Sequence, residues 1–403
     1  MLKKIKESIK YIKLYDILSI FIFIFMLIPS FIFRIINKIK RRNLLLVTED
    51  GKTARDNGYH FYKYIRTNHP NDYCFYVIDK KSDGYNKVKE YGNIIQYKSL
   101  KHWLYYMSAK YNISNQKYGN PNTTLFYFIH VVLGLYRNRV FLQHGITKDD
   151  SPWLYYKNTK FKYFICGAKR EYEYIKEKFG YPDGNVIYTG FARFDNLYNN
   201  DIKNNQILIM PTWRNWLGRE TNAFGQKIIF QETDYFKYWN KVLTNKELID
   251  YIEKNNYEIL FYPHMNIQKY LSSFSIKSSK IKLLSMNYDI QKALKEAAIM
   301  ITDYSSVYMD VAYMEKPIIY YQFDYDIYRK KQLQQGYFDY KKNGFGPVCY
   351  DDIQLCDELI KIINNGLNVK YKKRMKDFFE IKDKKNCERI YKVLKGESKW
   401  KLL

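Results

Sequence analysis

Cysteine is scarce in this sequence of 403 residues, and the few cysteines are scattered. They are Cys74, Cys166, Cys349, Cys356 and Cys387. No two of them have C-x-x-C spacing and their number is odd, which argues against a zinc ribbon or a disulfide framework. We therefore expect reduced thiols, most of them buried, as in a protein of the cytosol.

Several catalytic motifs are also missing. The sequence contains no GxxxxGK[ST] phosphate loop, no HExxH and no GxSxG. It therefore gives no support to a P-loop NTPase, a zincin or an α/β-hydrolase. Acidic pairs occur at Asp149-Asp150 and Asp351-Asp352, but without a context that would hold a metal. We expect no catalytic metal.

Acidic residues are fewer than basic ones: the sequence has 41 Asp and Glu and 67 Lys and Arg, which gives a net charge of +26. This excess suits a polyanionic partner, which could be nucleic acid, an anionic membrane or a phosphate-rich substrate. A/T-rich codon bias would explain it without any partner. A hydrophobic content of 46% with 18% aromatic residues excludes disorder as the main state, because it is enough to build large cores.

One long hydrophobic run lies near the N-terminus, where residues 17–33 read ILSIFIFIFMLIPSFIF without a charge. Basic residues flank it on both sides: Lys3, Lys4, Lys6, Lys10 and Lys13 before it, and Lys38, Lys40, Arg41 and Arg42 after it. Because both flanks prefer the cytoplasmic side, we predict a monotopic or re-entrant anchor, bent near Pro29, at the cytoplasmic face of the cell membrane. A single membrane span and a buried helix of a soluble fold are the alternatives.

The remainder alternates short apolar runs with helical patterns, which predicts parallel α/β sheets covered on both faces. The apolar runs occupy residues 43–48, 74–78, 139–143, 163–166, 186–189, 207–210, 258–262, 299–302 and 317–321. We predict an anchoring segment at 1–42, an α/β domain at 43–190, a polar hinge at 191–204, a second α/β domain at 205–368 and a basic closing helix at 369–403.

Two histidines follow predicted strands. His144 precedes Gly145 at the end of one strand, and His264 follows Tyr262 and Pro263 at the end of another. In open α/β sheets the carboxyl ends of the strands form the ligand-binding edge. A neutral imidazole there can accept a proton from a hydroxyl near pH 7, and a second imidazole can stabilise charge on a phosphate oxygen. A purely structural histidine is the alternative for each.

The segment ITDYSSV at 301–307 carries a further candidate site. A predicted strand ends at Thr302, and Asp303, Ser305 and Ser306 precede a helix that contains Asp310. Free N–H groups at a helix N-terminus, together with two hydroxyls, can hold a diphosphate without a metal. Plain capping of the helix is the alternative.

Two arginines lie near other strand ends. Arg214 follows Pro211 and Thr212 after the strand at 207–210, and Arg193 lies in the predicted hinge. Guanidinium groups bind phosphate through paired hydrogen bonds, so both are candidate phosphate ligands.

Taken together, these motifs resemble the CDP-glycerol glycerophosphotransferase family, the teichoic-acid primases and polymerases and related capsule enzymes. The matching segments are ARDNGYHFYKY (54–64), QHG (143–145), TGFARFDNL (189–197), PTWR (211–214), PH (263–264) and ITDYSSVYMDVAYMEKPIIYYQFDYDIY (301–328). The resemblance implies a GT-B-like α/β fold, with two Rossmann-like domains and a cleft between them. It further implies that the first domain binds the acceptor, that the second binds the donor, and that the enzyme is peripheral to the cytosolic leaflet.

The resemblance also implies which residues contact the nucleotide diphosphate. These are His144, Gly145, Ile146, Thr147, Lys148, Arg193, Pro211, Thr212, Tyr262, Pro263, His264, Ser305, Ser306 and Asp310. The sequence departs from the family where Tyr262 replaces a frequent basic residue, and where Ile146, Thr147 and Lys148 replace the frequent continuation of HGTP. The acceptor or polyol preference is therefore open.

The implied reaction is transfer of a polyol phosphate, foremost from CDP-glycerol, to a hydroxyl of a lipid-diphosphate-linked acceptor, with release of CMP and without a cofactor. His144 would be the general base, and His264, Arg193, Ser305 and Ser306 would hold the diphosphate. The alternatives are a CDP-ribitol-dependent transferase, a GT-B glycosyltransferase that uses a nucleotide sugar, and a membrane-tethered nucleic-acid-binding protein. The choices between primase and polymerase and between oligomeric states stay open.

Overall fold

The computed structural model of the chain describes residues 13–117, 119–197, 202–218 and 229–397. The chain divides into two compact units. Unit 1 comprises residues 1–146, 152–196 and 383–403, and unit 2 comprises residues 147–151 and 197–382. Several predicted features lie outside the described residues, namely Lys3, Lys4, Lys6 and Lys10 of the basic flank, residues 198–201 of the hinge and residues 398–403 of the tail.

The first element of unit 1 is a long apolar helix, α1 (Leu14–Ile39), which runs without interruption through Pro29. Among the described residues it is the one helix that is long and apolar enough to cross a membrane, judged by length and composition alone. Its buried residues, Ser19, Met26, Ser30 and Asn37, recur at helical spacing and form one stripe that faces unit 1. The helix therefore packs on unit 1 along one stripe and leaves most of its apolar surface exposed.

Unit 1 is built on a seven-stranded sheet of order β3-β2-β1-β4-β5-β6-β7, in which every pairing is parallel. The strands are β1 (Leu45–Thr48), β2 (Cys74–Ile78), β3 (Ile94–Gln96), β4 (Tyr111–Ser114), β5 (Arg139–Phe141), β6 (Tyr163–Cys166) and β7 (Val186–Tyr188). The helices after α1 are α2 (Asn57–Asn68), α3 (Tyr85–Lys89), α4 (Leu100–Ser108), α5 (Thr123–Tyr127), α6 (Tyr156–Thr159) and α7 (Lys169–Lys178), and a π-helix (Phe128–Val132) continues α5.

Unit 2 contains a six-stranded parallel sheet of order β10-β9-β8-β11-β12-β13. Its strands are β8 (Lys203–Met210), β9 (Glu258–Phe261), β10 (Ile281–Leu283), β11 (Ala297–Thr302), β12 (Ile318–Tyr321) and β13 (Val348–Cys349). Its helices are α8 (Asp234–Leu243), α9 (Lys246–Lys254), α10 (Ile290–Glu296), α11 (Tyr308–Tyr313), α12 (Tyr325–Lys331), α13 (Tyr340–Asn343), α14 (Asp352–Asn365) and α15 (Val369–Phe378). Both units are Rossmann-like, which confirms the predicted fold class.

The core of each sheet explains why these segments are strands. Every residue of β1, β2 and β12 is buried, as expected for parallel strands covered on both faces. The sequence did not indicate β3, β4, β10 and β13, which are short; β4 also carries the polar residues Asn112 and Ser114. All five cysteines are free and buried, as predicted.

The basic tail differs from the single closing helix that the sequence predicts. It forms two helices, α15 and α16 (Asn386–Lys395), and the division of the chain assigns α15 to unit 2 and α16 to unit 1. Ile390 of α16 is buried in the unit 1 core. The side chain of Asp195 accepts hydrogen bonds from the main-chain amides of Asn386 (2.9 Å) and Cys387 (2.9 Å), and these bonds fix the return of the chain to unit 1.

Candidate active site

The strand order of each sheet reverses once, which gives each unit a topological switch point. In unit 1 the order reverses between β1 and β4, and in unit 2 it reverses between β8 and β11. Loops that leave the carboxyl ends of two such strands diverge and leave room for a ligand. The loops after β8 and β11 contain residues 211–214 and 303–306, which the sequence singled out.

His144 lies in the loop that follows β5 and its side chain is exposed. The residue before it, Gln143, has a φ of 58°, in the left-handed region, which costs a residue with a Cβ on the order of 1 kcal/mol. Gln143 is nevertheless buried. The backbone therefore turns sharply at Gln143 and presents the imidazole of His144 at the carboxyl edge of the sheet.

Arg193 is a buried residue of unit 1 whose charge is already paired. Its Nη1 lies 2.8 Å from Oδ1 of Asp56, and Asp56 is the N-cap of α2. The other carboxylate oxygen of Asp56 accepts a hydrogen bond of 2.7 Å from the side-chain amide of Asn115. Arg193 is thus held at the switch point of unit 1 by residues that follow β1 and β4.

A second carboxyl group, Glu49, follows β1 and is buried. It accepts hydrogen bonds from the main-chain amides of Asp56 (2.8 Å) and Tyr59 (3.1 Å) and from the hydroxyl of Thr53 (2.9 Å). Burial, and then the charge of Asp56, raise the pKa of Glu49 to about 7. Through these hydrogen bonds the side chain of Glu49 holds the first turn of α2 and the loop before it in place.

The register of the unit 2 sheet brings three loops side by side. Thr302 pairs with Met210, so residue 303 lies next to residue 211. The main-chain amide of Tyr262 donates a 2.8 Å hydrogen bond to the carbonyl of Ile209, which places the His264 loop on the other side of β8. The three motifs around Thr212, His264 and Ser305 consequently share one edge of this sheet.

A buried ionic cluster supports these loops. Arg214 is completely buried; its Nη1 lies 2.9 Å from Asp303 Oδ2, and its Nε lies 2.7 Å from Asp324 Oδ2. Burial alone would lower the pKa of Arg214, but the two carboxylates raise it above its ordinary value. Asp303 in turn accepts from the main-chain amides of Thr212 (2.8 Å) and Tyr304 (2.6 Å). Arg214 and Asp303 therefore tie the loop after β8 to the loop after β11.

Ser305 and Ser306 are partly exposed and lie in the loop after β11. The expected helix begins only at Tyr308, and the amides of Met309 and Asp310 already donate to the carbonyls of Ser306 and Val307. Within the described residues, no acceptor is found for the main-chain amides of Ser305 and Ser306. The groups offered to a ligand are therefore two hydroxyls and two amides of the loop, rather than the helix end.

His264 is half-buried, and burial lowers its pKa below the ordinary value for histidine. Its Nδ1 accepts a 3.2 Å hydrogen bond from the main-chain amide of Asn266, so the neutral ring carries its proton on Nε2. The indole of Trp213 stacks on this imidazole, with ring centroids 5.9 Å apart and an interplanar angle of 17°. His264 therefore offers an N–H donor, which suits a phosphate oxygen better than it suits proton abstraction.

Lys148 belongs to unit 2 and is buried. Its Nζ lies 2.6 Å from Asp149 Oδ2 and donates a 3.1 Å hydrogen bond to the carbonyl of Tyr304. Asp149 also pairs with Arg329 at 2.5 Å. Burial acts to raise the pKa of Asp149, but the two cations hold it below the usual value. The ammonium group of Lys148 thus supports the loop that contains Ser305 and Ser306.

The residues predicted as ligands fall into an exposed group and a buried group. Partly or fully exposed are His144, Gly145, Thr212, His264, Ser305 and Ser306. Buried are Ile146, Thr147, Lys148, Arg193, Pro211, Arg214, Tyr262, Pro263, Thr302, Asp303 and Asp310. The first group can contact a solute directly, whereas the contacts of Lys148, Arg214 and Asp303 hold the loops after β8 and β11 in place.

Several polar residues of these loops have no role in the prediction from sequence, although three of them lie in the matching segments 54–64 and 301–328. They are Glu49, Asp56, Asn57, Asn115 and Asp324. Glu49 directly follows β1, a predicted strand, so its position at a strand end was visible in the sequence. Asn115 follows β4, a strand that the sequence did not indicate. Among the described residues, no group of three or more His, Cys, Asp or Glu is placed to hold a metal ion.

Two parallel α/β units with polar loops at their switch points define a GT-B-like protein. A solved structure of the wall teichoic acid polymerase TagF has the same fold, with a TM-score of 0.62 and 16% identity over 91% of this chain and 97% of that chain. UDP-GlcNAc 2-epimerase of Methanocaldococcus jannaschii also shares the fold, with a TM-score of 0.53 and 12% identity over 88% of this chain and 99% of that chain.

The family follows from the sequence comparisons. The profile of the CDP-glycerol:poly(glycerophosphate) glycerophosphotransferases matches residues 30–396. The minor teichoic acid biosynthesis protein GgaB of Bacillus subtilis is 33% identical over 88% of this chain, although the matched region is only 40% of GgaB. A teichoic acid poly(glycerol phosphate) polymerase of Bacillus spizizenii is 26% identical over 88% of this chain and 91% of its own length. The chain belongs to the CDP-glycerol glycerophosphotransferase family.

Proposed function

We propose that this chain transfers glycerol phosphate from CDP-glycerol to a hydroxyl of a lipid-linked cell-wall or capsule polymer and releases CMP. Membership of the family supports the reaction class. Relatives are named poly(glycerol phosphate) polymerase and glycerol-phosphate primase, and one TagF structure was obtained with CDPG. Other relatives are named ribitol-phosphate polymerases, so CDP-ribitol is the second candidate donor.

The observation that carries the proposal is the group of donors at the switch point of unit 2. The hydroxyls and amides of Ser305 and Ser306 and the Nε2–H of His264 lie at one edge of the sheet. The nearby carboxylates, Asp303 and Asp324, are buried against Arg214. A diphosphate at this edge could accept hydrogen bonds from these donors, and the carboxylates of the cluster are buried and would not repel it. Donors placed in this way stabilise a transferring phosphoryl group.

In the proposed reaction the acceptor oxygen attacks the phosphorus that carries glycerol. A new P–O bond forms, the bond from this phosphorus to the bridging oxygen breaks, and CMP leaves with the bond electrons. The exposed imidazole of His144 takes the proton of the acceptor hydroxyl as general base. Ser305, Ser306 and His264 bind the phosphate oxygens. As proposed, the transfer uses no cofactor.

The direct test incubates the full chain with CDP-[14C]glycerol and a lipid-linked acceptor analogue and measures labelled product and CMP. We expect transfer, and we expect Ser305→Ala and Ser306→Ala each to raise the donor KM roughly tenfold, because a hydrogen bond to a charged group contributes about 1.5–3 kcal/mol. Ser275→Ala, an exposed serine before β10, is the matched control and should leave KM unchanged. Parallel reactions with CDP-ribitol and a nucleotide sugar identify the donor. Absence of CMP release from every CDP-polyol would exclude the reaction.

We also propose that unit 1 lies on the cytosolic leaflet through α1. Contacts run along the whole helix: Tyr15 donates to the carbonyl of Pro121 (3.1 Å), Ser108 donates to that of Ser30 (3.0 Å), and Arg34 donates to that of Met107 (2.5 Å). From residue 15 to residue 34 the helix rises about 28 Å, nearly the thickness of the hydrocarbon core. A crossing helix would carry unit 1 into the bilayer, so α1 lies parallel to the surface.

A second apolar element adjoins α1. Phe126 of α5 packs edge-to-face on Phe23 of α1, with ring centroids 6.1 Å apart. The segment that follows leaves several large apolar side chains about half exposed, namely Tyr127, Phe128, Val132, Leu133 and Leu135. Unit 1 therefore exposes apolar side chains both on the outer face of α1 and on this neighbouring segment. Lys38 lies in the last turn of α1, and Lys40, Arg41 and Arg42 follow the helix.

Vesicle flotation tests this placement. We expect the chain to float with vesicles of phosphatidylglycerol and phosphatidylcholine, less at high salt, and Phe21→Asp with Phe25→Asp to weaken binding at least tenfold. These phenylalanines are 65% and 70% exposed, and each buries apolar area worth about 1.5–3 kcal/mol in lipid. Ile353→Asp, at a position 62% exposed in unit 2, is the matched control. Unchanged flotation of the double variant would contradict the proposal.

A further inference from the structure

The dipeptide Asp56-Asn57 begins α2 and has no role in the reaction described so far. We infer that Asn57 is a positioning residue that fixes the backbone on which His144 stands. The inference rests on the proposed function for the role of His144 as general base. The hydrogen bonds that support the inference are all formed between buried groups of unit 1.

The side-chain amide of Asn57 uses both of its hydrogens on the loop that leads to His144. Its Nδ2 donates to the carbonyl of Leu142 at 3.1 Å and to the carbonyl of Gln143 at 2.7 Å. Asn57 is fully buried, so water does not compete for these bonds. The two carbonyls belong to the last two peptides before His144, which are the ones that set the direction of the chain there.

The side chain of Gln143 is held from the opposite direction. Its Nε2 donates to the carbonyl of Ile165 (2.6 Å) and to Oε1 of Glu171 (3.0 Å), and Oε2 of Glu171 accepts from the amide of Gly167 (2.7 Å). A residue with a φ of 58° stays in that conformation only when its surroundings determine it fully. Asn57 on the backbone and Glu171 on the side chain together do so.

The side-chain oxygen of Asn57 links this loop to Arg193. Its Oδ1 accepts a 3.0 Å hydrogen bond from the main-chain amide of Arg193, while the neighbouring Asp56 pairs with the guanidinium of the same residue at 2.8 Å. The start of one helix thus sets two loops of the unit 1 site. Loss of the Asn57 side chain removes the bonds to Leu142 and Gln143 and one bond to Arg193, without removing a group that contacts substrate.

The kinetic test compares Asn57→Ala and Asn57→Asp with the wild-type chain. We expect kcat to fall about 10- to 100-fold, because a displacement of the base by about 1 Å costs this much, while the donor KM stays within about twofold. Asn57→Asp keeps the acceptor for the amide of Arg193 but places a carboxylate oxygen next to two carbonyl oxygens. We therefore expect its kcat to fall at least as far. A result from either variant is sufficient, so the test can be made if only one of them folds.

Asn112→Ala is the matched control. Asn112 is also buried in unit 1, and its Nδ2 donates to a carbonyl, that of Tyr106, at 2.9 Å, but it has no bond to the His144 loop. Its variant should lose thermal stability by a similar amount and keep kcat. A loss of kcat specific to Asn57 therefore separates positioning from general destabilisation.

A spectroscopic readout makes the test independent of the donor. The chain has six histidines, so the 13C-labelled imidazole signals can be resolved and His144 assigned by its absence in His144→Gln. We expect Asn57→Ala and Asn57→Asp to move the His144 signal and Asn112→Ala to leave it in place. An unmoved signal, together with a kcat no lower than that of Asn112→Ala, would overturn the inference. If the wild-type chain turns over no CDP-polyol, the proposed function fails and the His144 signal alone decides.

Discussion

Replacement of His144 by alanine is expected to lower kcat about 10²- to 10⁴-fold, the contribution of a positioned general base. The donor KM should change by no more than about twofold, because the proposed donor contacts, Ser305, Ser306 and His264, belong to unit 2. The acceptor hydroxyl then has to lose its proton to water during attack. Steady-state kinetics with CDP-glycerol, measured as CMP release, give both constants.

His69→Gln is the control for loss of a histidine from the same unit. His69 follows the last residue of α2, and its ring stacks on Tyr391 with centroids 3.9 Å apart. Since α2 starts at the carboxyl edge of the sheet and runs away from it, His69 lies far from the His144 loop along this helix. Its variant should keep wild-type kcat. A His144→Ala enzyme that works at the wild-type rate would show that His144 is not the base.

Replacement of Arg214 by methionine is expected to have the largest effect on stability. It leaves Asp303 and Asp324 buried without their cation, and breaking a buried ion pair in this way costs about 3–5 kcal/mol. The donor KM should rise as well, since Asp303 holds the amides of Thr212 and Tyr304. Thermal unfolding of the full chain and titration with CDP-glycerol measure the two effects.

Lys241→Met provides the comparison with an exposed ion pair. Lys241 lies 2.7 Å from Asp352, but its side chain is 63% exposed, and exposed pairs contribute about 0–1 kcal/mol. Arg214→Lys should fall between the two variants, because lysine keeps the charge but lacks the planar guanidinium whose separate N–H groups pair with the two carboxylates. If Arg214→Met unfolded no earlier than Lys241→Met, the buried cluster would not be what supports the loops.

The fold class could be predicted from sequence because parallel strands that are covered on both faces need continuous apolar runs. Residues 74–78 and 318–321 illustrate this, since every one of them is buried. The short strands β3 and β13 could not be predicted in this way. They pair at the edges of their sheets, where pairing with a neighbour, not composition, defines the strand.

The candidate site was predictable in part for the same reason. His144, His264 and Ser305 follow apolar runs, and the carboxyl edge of a parallel sheet is where such residues meet. Lys148 and Arg214 resemble phosphate ligands in the sequence, but their partners, Tyr304 and Asp324, are 156 and 110 residues away. Asn57 lies in the matching segment 54–64, but the sequence does not indicate what it contacts, because its partners lie 85 and 86 residues further on.

The sequence by itself determined that the protein is basic, poor in cysteine and built from α/β units. The motifs between residues 54 and 328 determined its membership of the glycerophosphotransferase family. These are properties of composition and local pattern, which exist before the chain folds. Only the tertiary structure decided which charges are open to a ligand and which are neutralised inside, and that α1 packs along unit 1. The free energy of a charge depends on its burial and its partners, and both arise only when distant segments pack together.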